Sequence, residues 1–461
     1  MREKILNTLN ELRIYALAKG ADVSFYYHEE DSYLMRFANS AISLNTNEHL
    51  IRLEVTAFEG NKRAIYAMIT DLNKVDDMKQ GVDTACEMVK HVMPLTYKPT
   101  VPEYSSPFID ESGFDPDLVQ MSNEEKLAFF NQVVDGLETD QIKLSGIFSC
   151  GSNIIAAIST RSEHPYLVQT SDAQVSIVLA HSALKWEVQS EQSAQQKGDL
   201  DAAAMRTELA TLLHHYTHDT PQQIPLGKYD VVFGTAAIAD MLNFARFIGF
   251  NGGLMKRGYS FLKEESIGQK VFSEHFTFSD DPSRRETFPF RCDLYGIPRN
   301  RFPMVENGAF KAFAWYQDDA DEFNRPPTGH TVPHHSLCMA GGTHPIATLE
   351  ELLNQPRESD ILYIPFLHYM NIVNPSKGIV TGSSRFGALL LKQDGSIVVP
   401  YNVRLTQSLL DIFSDKIAWI ARETLPYNTS LSYGARNPTS IIVPRFMRVN
   451  DLGISHSNSS Y

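Results

Sequence analysis

The sequence predicts an α+β protein: a region of helices and antiparallel sheet, followed by a larger mixed α/β domain. Three observations support this class. Short segments of alternating apolar and polar residues recur between helical patterns along the first 220 residues. From residue 225 onwards, β-type runs of several patterns are mixed with helices. The length of 461 residues, with 43% hydrophobic content, suffices for two or three domains with sizeable cores.

The first predicted unit, residues 1–92, begins with a helix. Ile5, Leu9, Leu12 and Ala16 repeat at helical spacing, and Gly20 supplies a C-cap. Strand-like segments of an antiparallel sheet follow at residues 22–27, 32–38, 41–45, 50–59 and 63–69. A second helix is predicted from residue 71 to residue 91.

A proline-rich segment separates this unit from a second, similar one. Residues 93–119 contain prolines at positions 94, 99, 102, 107 and 116, which predict a linker over the surface. Residues 120–224 then repeat the helix-plus-sheet organisation. Helices are predicted at 123–137 and 199–213, and strands at 142–149, 153–160, 166–171 and 173–179.

The third region, residues 225–461, is predicted to form one larger mixed domain. A β-type run at 229–233 leads through Gly234 into a helix at 235–250. Another helix is predicted at 406–423. Further β-type runs occur at 309–315, 361–366, 378–382, 388–392, 396–400 and 441–449.

The charge and the cysteines exclude several classes of protein. The net charge is −14 and the longest basic runs are pairs, so we expect no nucleic-acid-binding surface. Four widely spaced cysteines without a Cys-x-x-Cys motif predict reduced thiols. The N-terminal residues lack a signal-peptide core and no 18-residue apolar run occurs, so we expect a cytoplasmic protein that does not enter membranes.

Several motifs of the second half carry a family resemblance. They are Asp293-Leu-Tyr-Gly-Ile-Pro-Arg299, Glu306-Asn307-Gly308, Thr328-Gly329-His330 and Thr381-Gly382-Ser383 with Gly387. With the strand and helix at 229–250, they resemble the C-terminal domain of the TldD/PmbA family, known as zinc peptidases and their paired subunits. The first half of the chain resembles that family only in its organisation.

The zinc-binding branch of that family carries a His-Glu-x-x-x-His motif on the helix that corresponds to residues 235–250. In this chain Asn243 and Phe244 stand at the His-Glu positions, Ile248 at the second His, and Tyr433 at a later Cys ligand. A carboxamide, a phenyl ring and an alkyl group cannot replace two imidazoles and a general base. The resemblance therefore implies the metal-free PmbA (TldE) branch, with no cofactor on this chain and zinc on a partner chain.

The leading hypothesis is a non-catalytic subunit of a heterodimeric zinc metallopeptidase that processes or matures unfolded peptides. It would be inactive alone and would pair with a zinc-bearing TldD-like chain, or with a second copy of itself, around an extended peptide. A rival hypothesis is a stand-alone hydrolase with a metal in the loop from His330 to His344, where His334 and Cys338 are candidate ligands. A third is a homodimeric peptide-binding or scaffold protein.

A metal-free chain of this kind can still bind a peptide or a partner. Aromatic and cationic side chains stand beside glycines after the helix at 235–250, and such a surface suits an extended peptide. The competing interpretation places the aromatic side chains in the core, where large apolar residues usually lie. The candidate binding residues are Lys256, Arg257, Tyr259, Ser260, Phe261, Glu306, Asn307 and His330.

Overall fold

The structure, a computed structural model, describes residues 2–288, 290–330, 335–429, 436 and 439–458. These residues form three β-sheets with helices packed against them, which confirms the predicted α+β class. One sheet belongs to the first half of the chain, and the other two are built from strands after residue 226.

The sheet of the first half is almost entirely antiparallel. Its strands are β1 (Asp22–Ala38), β2 (Ala41–Glu59), β3 (Lys62–Thr70), β4 (Phe108–Gly113), β5 (Ile142–Ser159), β6 (Tyr166–His181) and β7 (Glu187–Ala194). They lie in the order β3-β2-β1-β5-β6-β4, with β7 beside β6, and β4 pairs with β6 in parallel. The strands of both predicted N-terminal units therefore join in one sheet.

The helices of the first half cover this sheet in two groups. They are α1 (Arg2–Ala18), α2 (Val75–His91), α3 (Pro116–Val119), α4 (Asn123–Val134) and α5 (Ala202–His218). Helices α1 and α2 pack on a core around Phe25 and Leu53. Helices α3, α4 and α5 pack on a second core around Phe148 and Val175. The segment predicted as a linker supplies β4 and α3.

Strand β1 is longer than the sequence pattern predicts. The polar residues at positions 28–31 divide the apolar pattern into two predicted strands, yet β1 continues through them. His28, Glu29 and Glu30 are all at most 4% exposed. His28 is hydrogen-bonded to Asn153 and Glu30 is ion-paired to Arg52, whereas Glu29 accepts a hydrogen bond from the nearby Tyr27 hydroxyl. Partners from other parts of the chain thus satisfy polar groups that would otherwise end a buried strand.

The second half of the chain contains fifteen strands among its described residues. They are β8 (Gly227–Gly234), β9 (Phe278–Asp280), β10 (Phe302–Glu306), β11 (Ala309–Phe310), β12 (Ser336–Met339), β13 (Ile361–Ile364), β14 (Phe366–Asn374), β15 (Ile379–Arg385), β16 (Leu389–Leu391), β17 (Ile397–Val398), β18 (Asn402–Ser408), β19 (Ile417–Ile420), β20 (Thr424–Asn428), β21 (Ser440–Pro444) and β22 (Phe446–Asn458). One sheet has the order β11-β10-β9-β12-β21-β20. The other has the order β14-β15-β18-β22-β8-β13-β16-β17, with β19 beside β22.

Helix α6 contacts strands of both of these sheets, including β14, β20 and β21. The helices of this half are α6 (Thr235–Gly249), α7 (Gly252–Lys256), α8 (Gln317–Phe323), α9 (Leu349–Leu353) and α10 (Leu409–Ile412). Ile238, Leu242, Ala245 and Ile248 of α6 are buried in the core between the sheets. This confirms the periodic core face that the sequence predicts. No helix in the described part of the chain is long and apolar enough to cross a membrane.

The prediction of a helix at residues 406–423 is wrong. The chain instead forms the end of β18, the short helix α10 and strand β19. Buried Leu409, Ile412, Phe413, Ile417 and Ile420 do repeat at helical spacing. Hydrogen-bonded pairing with other strands outweighs this helical pattern: β19 pairs antiparallel with β22, and β18 lies between β15 and β22.

The halves of the chain share part of their core. The core beneath α4 and α5 includes Met35 and Phe37 of β1 together with Val232 of β8 and Phe446 of β22. The predicted boundary at residues 224 and 225 therefore separates the sheets but not this core. A second contact joins β7 to β20 at an edge of each sheet, where the Asn428 backbone N–H donates to Ser193 Oγ at 2.6 Å.

Candidate functional site

Helix α6 follows β8 directly and carries the positions where the resemblance expects zinc ligands. Asn243 is half-buried, Phe244 packs against the core, and Ile248 is 1% exposed. Residues five positions apart on a helix point about 140° away from each other, so positions 243 and 248 do not converge. None of the three side chains is a zinc ligand, and zinc does not fit this part of α6. Tyr433 lies outside the described residues.

A cavity of about 450 Å³ lies beside the start of α6, between the N-terminal sheet and the two C-terminal sheets. Strand β7 and helix α5 form one wall, and β20, the start of α6 and the beginning of β14 form the other. Cavities of about 300–1,000 Å³ are typical of ligand sites. Its aromatic lining residues are Phe288, Tyr363, Phe366, Tyr427 and Phe446.

Charged side chains also line this cavity. Six are acidic and two are basic, and both basic side chains already face a carboxylate. Arg285 forms an ion pair with Asp199 at 3.0 Å, and Arg445 lies 3.9 Å from Glu208. The cavity therefore has a surplus of negative charge.

Two carboxyl groups near this cavity have raised pKa values. Glu191 of β7 lines it, and Asp240 lies one turn further along α6 than the lining residue Ala236. Burial raises the pKa of Glu191 to about 7, against the effect of hydrogen bonds from Gln174 and Gln189. Burial, followed by the negative charge of Glu191, raises the pKa of Asp240 to about 7. Both groups can therefore gain or lose a proton near neutral pH.

Tyr427 of β20 completes this group of titratable side chains. Burial, followed by the charges of Glu191 and Asp240, raises its pKa well above the usual value for tyrosine. Its hydroxyl therefore remains protonated at neutral pH. A molecule bound in this cavity would meet carboxylate oxygens, which accept hydrogen bonds, and the backbone of a strand edge. Among the described residues, the cavity lining contains no set of metal-binding side chains such as two histidines.

Sequence reasoning missed Glu191, Asp240 and Tyr427. Glu191 lies in a polar segment for which no strand is predicted, and it is 49 positions before Asp240. The one available signal is in α6 itself, where Asp240 is the single acidic residue of an otherwise mostly apolar helix. Such a residue is either solvent-facing or held at a special site, and the pattern alone does not distinguish these cases.

The carboxyl pair predicts a pH-dependent stability. Asp240 has a raised pKa in the folded protein, so its protonation stabilises the fold fully below about pH 4, and this contribution is lost as pH rises through about 7. Asp240→Asn, which stays neutral, is therefore expected to stabilise the protein by up to about 4 kcal/mol at pH 8 but by only about 1–2 kcal/mol at pH 5. Thermal unfolding at both pH values measures this, with exposed Glu48→Gln as the control. Equal effects of Asp240→Asn at pH 5 and pH 8 would contradict it.

The eight candidate binding residues lie elsewhere, and none lines this cavity. Lys256 and Arg257 form ion pairs with Glu264 and Asp319, at 2.6 and 2.7 Å. Tyr259 is 55% exposed, whereas Phe261 is buried in the core. The others also have local partners: Ser260 donates to the Gly249 carbonyl, Glu306 pairs with Arg301 and Lys311, Asn307 accepts from Thr277, and His330 contacts the Asn300 carbonyl. Tyr259 is the one of the eight with a large exposed ring.

The histidines between residues 330 and 344 have separate environments. His330 stacks on Phe302 with ring centroids 4.5 Å apart, and His344 stacks on Trp419 at 4.1 Å. Cys338 is buried in β12, and His334 lies outside the described residues. Among the residues that the structure describes, no three His, Cys, Asp or Glu side chains are grouped to hold a metal.

Comparison with solved structures identifies similar folds over nearly the whole chain. TldE from Thermococcus kodakarensis matches with a TM-score of 0.79 and 14% identity, over 98% of this chain and 100% of that chain. Proposed modulators of DNA gyrase match as well. The one from Thermotoga maritima has a TM-score of 0.75 and 15% identity, over 98% of this chain and 100% of its own. The one from Bacteroides thetaiotaomicron has a TM-score of 0.77 and 14% identity, over 97% and 98%.

At such low identity these matches show a shared fold and nothing about activity. A search of curated proteins gives no significant match. The family evidence comes from the sequence of the second half. Residues 226–456, half of the chain, match the family described as the PmbA/TldA metallopeptidase C-terminal domain. The match includes β8, α6 and both C-terminal sheets, and the chain belongs to the PmbA/TldD family of metallopeptidase-related proteins.

Proposed function

We propose that this chain is a non-catalytic subunit that acts in the cytoplasm with a zinc-bearing homologue to process unfolded peptides. The observation that carries the proposal is the chemistry of α6, where Asn243, Phe244 and Ile248 replace the zinc ligands and the general base. Zinc-dependent hydrolysis needs a metal-bound water and a base to take its proton. A chain without these groups contributes by binding and by pairing.

The cavity supports a peptide-binding role. Among the described strands, β7 pairs only with β6 and β20 pairs only with β21, and both line the cavity. An extended segment that enters it meets the backbone of two sheet edges. Added strands bind through main-chain hydrogen bonds, which accept many sequences and therefore suit unfolded peptides.

The β1–β2 hairpin supports the pairing role. Residues 41–49 of β2 are exposed on both faces and pair with β1 along one edge. Their other edge pairs with no described strand, because β3 pairs only with residues 51–59. Asn39 and Ser40 form its two-residue turn with positive φ, and the Ser40 N–H donates to the Leu144 carbonyl at 2.9 Å. The hairpin is therefore held in place and presents an edge that pairs with no other described strand. Residues 41–49 contain no Lys, Arg or Pro, the residues that usually protect such edges.

The test is to measure peptide hydrolysis and zinc content for this chain, for a zinc-bearing homologue and for their mixture. We expect no zinc and no hydrolysis with this chain alone, and chelator-sensitive hydrolysis of an unfolded peptide by the mixture. The control is a mixture in which the homologue's general-base Glu is replaced by Gln. Chelator-sensitive cleavage by this chain alone, surviving removal of contaminants, would overturn the proposal and favour the stand-alone hydrolase.

A further inference from the structure

We infer that the peptide binds in the cavity beside α6 as an added strand on β7, along the edge that faces away from β6. The site therefore takes peptides that keep at least one edge of free backbone N–H groups, and it excludes peptides that lack them, such as proline-rich segments. This inference rests on the proposed peptide-binding function and specifies the strand and the class of peptide. The directions of the backbone groups on β7 and β20, and the position of the cavity between them, support it.

The pairing of β6 with β7 leaves every second residue of β7 with its backbone groups pointing away from β6. The His181 N–H donates to the Trp186 carbonyl at 3.0 Å, just before β7 begins. In an antiparallel pair, residues whose N–H and C=O groups face the partner alternate with residues whose groups face outward. The register of the two strands is continuous from this bond, and it makes Glu191 and Ser193 outward-facing positions.

The outward backbone groups of these two residues have no hydrogen-bond partner among the described residues, and β7 pairs with no described strand other than β6. The bonds beyond β7's own ladder use side chains. The Glu191 carboxylate accepts from Gln174 and Gln189. The Ser193 hydroxyl accepts from the Asn428 N–H. An added strand supplies both a donor and an acceptor to each outward-facing residue.

The cavity runs along this edge rather than over one face of β7. Its lining includes Ser190 and Gln192, which point to one face of the strand, and Glu191 and Ser193, which point to the other. Residues from both faces line one cavity where the cavity follows the edge between them. At about 450 Å³, enclosed between the two halves of the chain, it admits an extended segment but not a folded partner.

The opposite wall, β20, does not offer the same set of donors and acceptors. The Thr429 N–H donates to the Thr439 carbonyl at 2.9 Å, and the continuous register with β21 makes Pro426 an outward-facing position. Leu425 and Tyr427, the other β20 residues in the lining, face β21 with their backbone groups. Proline has no N–H. A peptide strand between the two walls therefore finds backbone donors as well as acceptors only on β7.

The test measures fluorescence anisotropy of the full chain with three labelled octapeptides of one uncharged sequence. The first is unmethylated, the second is N-methylated at alternate residues, and the third is N-methylated at every residue. In an extended peptide, alternate methylation leaves one edge free to pair with β7. We expect the second peptide to bind within about threefold of the first, and the third at least about tenfold more weakly.

Glu191→Pro tests the same contact from the side of the protein. It removes the outward N–H and keeps the bonds to β6, because edge strands tolerate proline where the N–H faces away from the sheet. We expect the unmethylated peptide to bind this variant at least about tenfold more weakly. Circular dichroism and thermal unfolding establish that the variant is folded, and the peptide series decides the inference if it is not.

Ala67→Pro is the matched control. The two-residue turn at residues 60 and 61 makes Glu59 and Lys62 a hydrogen-bonded pair, so Ala67 is an outward-facing position of β3, at the end of the sheet and outside the cavity lining. This variant is expected to bind the unmethylated peptide as the unchanged protein does, and equal weakening in both proline variants overturns the inference.

The peptide series separates the remaining outcomes. Equal binding of all three peptides overturns the inference and leaves the proposed peptide binding intact. Equal weakening by alternate and complete methylation indicates a peptide held by both walls, and it also overturns pairing with β7 alone. Absence of binding by every peptide contradicts both the inference and the proposed peptide-binding function.

Discussion

Replacement of Arg436 by methionine is expected to destabilise the protein by about 3–5 kcal/mol, the largest effect on stability that we predict. The Arg436 and Asp172 side chains are both 3% exposed and form a bidentate ion pair, with Nε to Oδ1 at 2.7 Å and Nη2 to Oδ2 at 3.0 Å. Methionine occupies similar space but leaves Asp172 charged and buried, with Asn428 Nδ2 as its remaining side-chain donor in the described residues.

Arg436 also joins the two halves of the chain through its backbone. Its N–H donates to Glu30 Oε2 of β1, and His28 Nε2 contacts its carbonyl oxygen at 2.8 Å. These contacts fix residue 436 against the face of the N-terminal sheet that looks toward the C-terminal half. Loss of the guanidinium therefore weakens an attachment between the halves as well as one ion pair.

Arg161→Met is the matched control for this prediction. Arg161 makes the same bidentate geometry with Asp22, at 2.7 and 2.6 Å, but its side chain is 54% exposed. Exposed ion pairs contribute about 0–1 kcal/mol. Urea unfolding of both variants measures the difference, and the double variant Asp172→Asn/Arg436→Met is expected to lose less than the sum of the single changes. A loss in Arg436→Met no larger than that in Arg161→Met would contradict the argument.

The fold class was predictable because hydrophobic periodicity is a local property. The sequence predicts a helix at residues 235–250, and α6 forms over Thr235–Gly249, because its core face repeats at helical spacing and Gly234 precedes it. The region 406–423 has the same spacing and forms strands instead. The difference lies in pairing with β22, about 30 residues away, which a local pattern does not contain.

The polar residues in the middle of β1 also show that a local sequence pattern does not contain long-range contacts. His28 and Glu30 would interrupt a buried strand if they lacked partners. Their partners, Asn153 and Arg436, lie 125 and 406 positions further along the chain. No local rule connects residues at such distances, so the sequence predicts a break where the structure has a continuous strand.

One part of the candidate site can also be predicted from the sequence, and another part cannot. That Asn243, Phe244 and Ile248 are not zinc ligands follows from residue identities alone, and the structure adds that Ile248 faces the core. The cavity depends on how β7 of the first half and the start of α6 in the second are placed around it. That relation arises from packing between sheets, which is why the motif-based candidates lie outside the cavity.

The double variant Ile42→Lys/Leu44→Lys is expected to abolish pairing with the zinc-bearing homologue, and with it the hydrolysis by the mixture. Ile42 and Leu44 are 48% and 43% exposed on the free part of β2, so lysine is tolerated by the fold. On an edge strand, lysine side chains oppose the addition of another strand. We expect at least about a hundredfold weaker association, or about 2.7 kcal/mol, by analytical ultracentrifugation.

Two lysine substitutions on the neighbouring strand β3 provide the control. Ile65→Lys/Ile69→Lys alters β3, which also lies at the end of the sheet, and the two isoleucines are 50% and 69% exposed. Strand β3 already carries Lys62 and Arg63 at its start, and Arg63 is bound to Asp318. Its edge is therefore protected in the way that residues 41–49 are not. Pairing should survive the β3 changes and fail with the β2 changes; loss in both, or in neither, would show that the free edge of β2 is not the pairing surface.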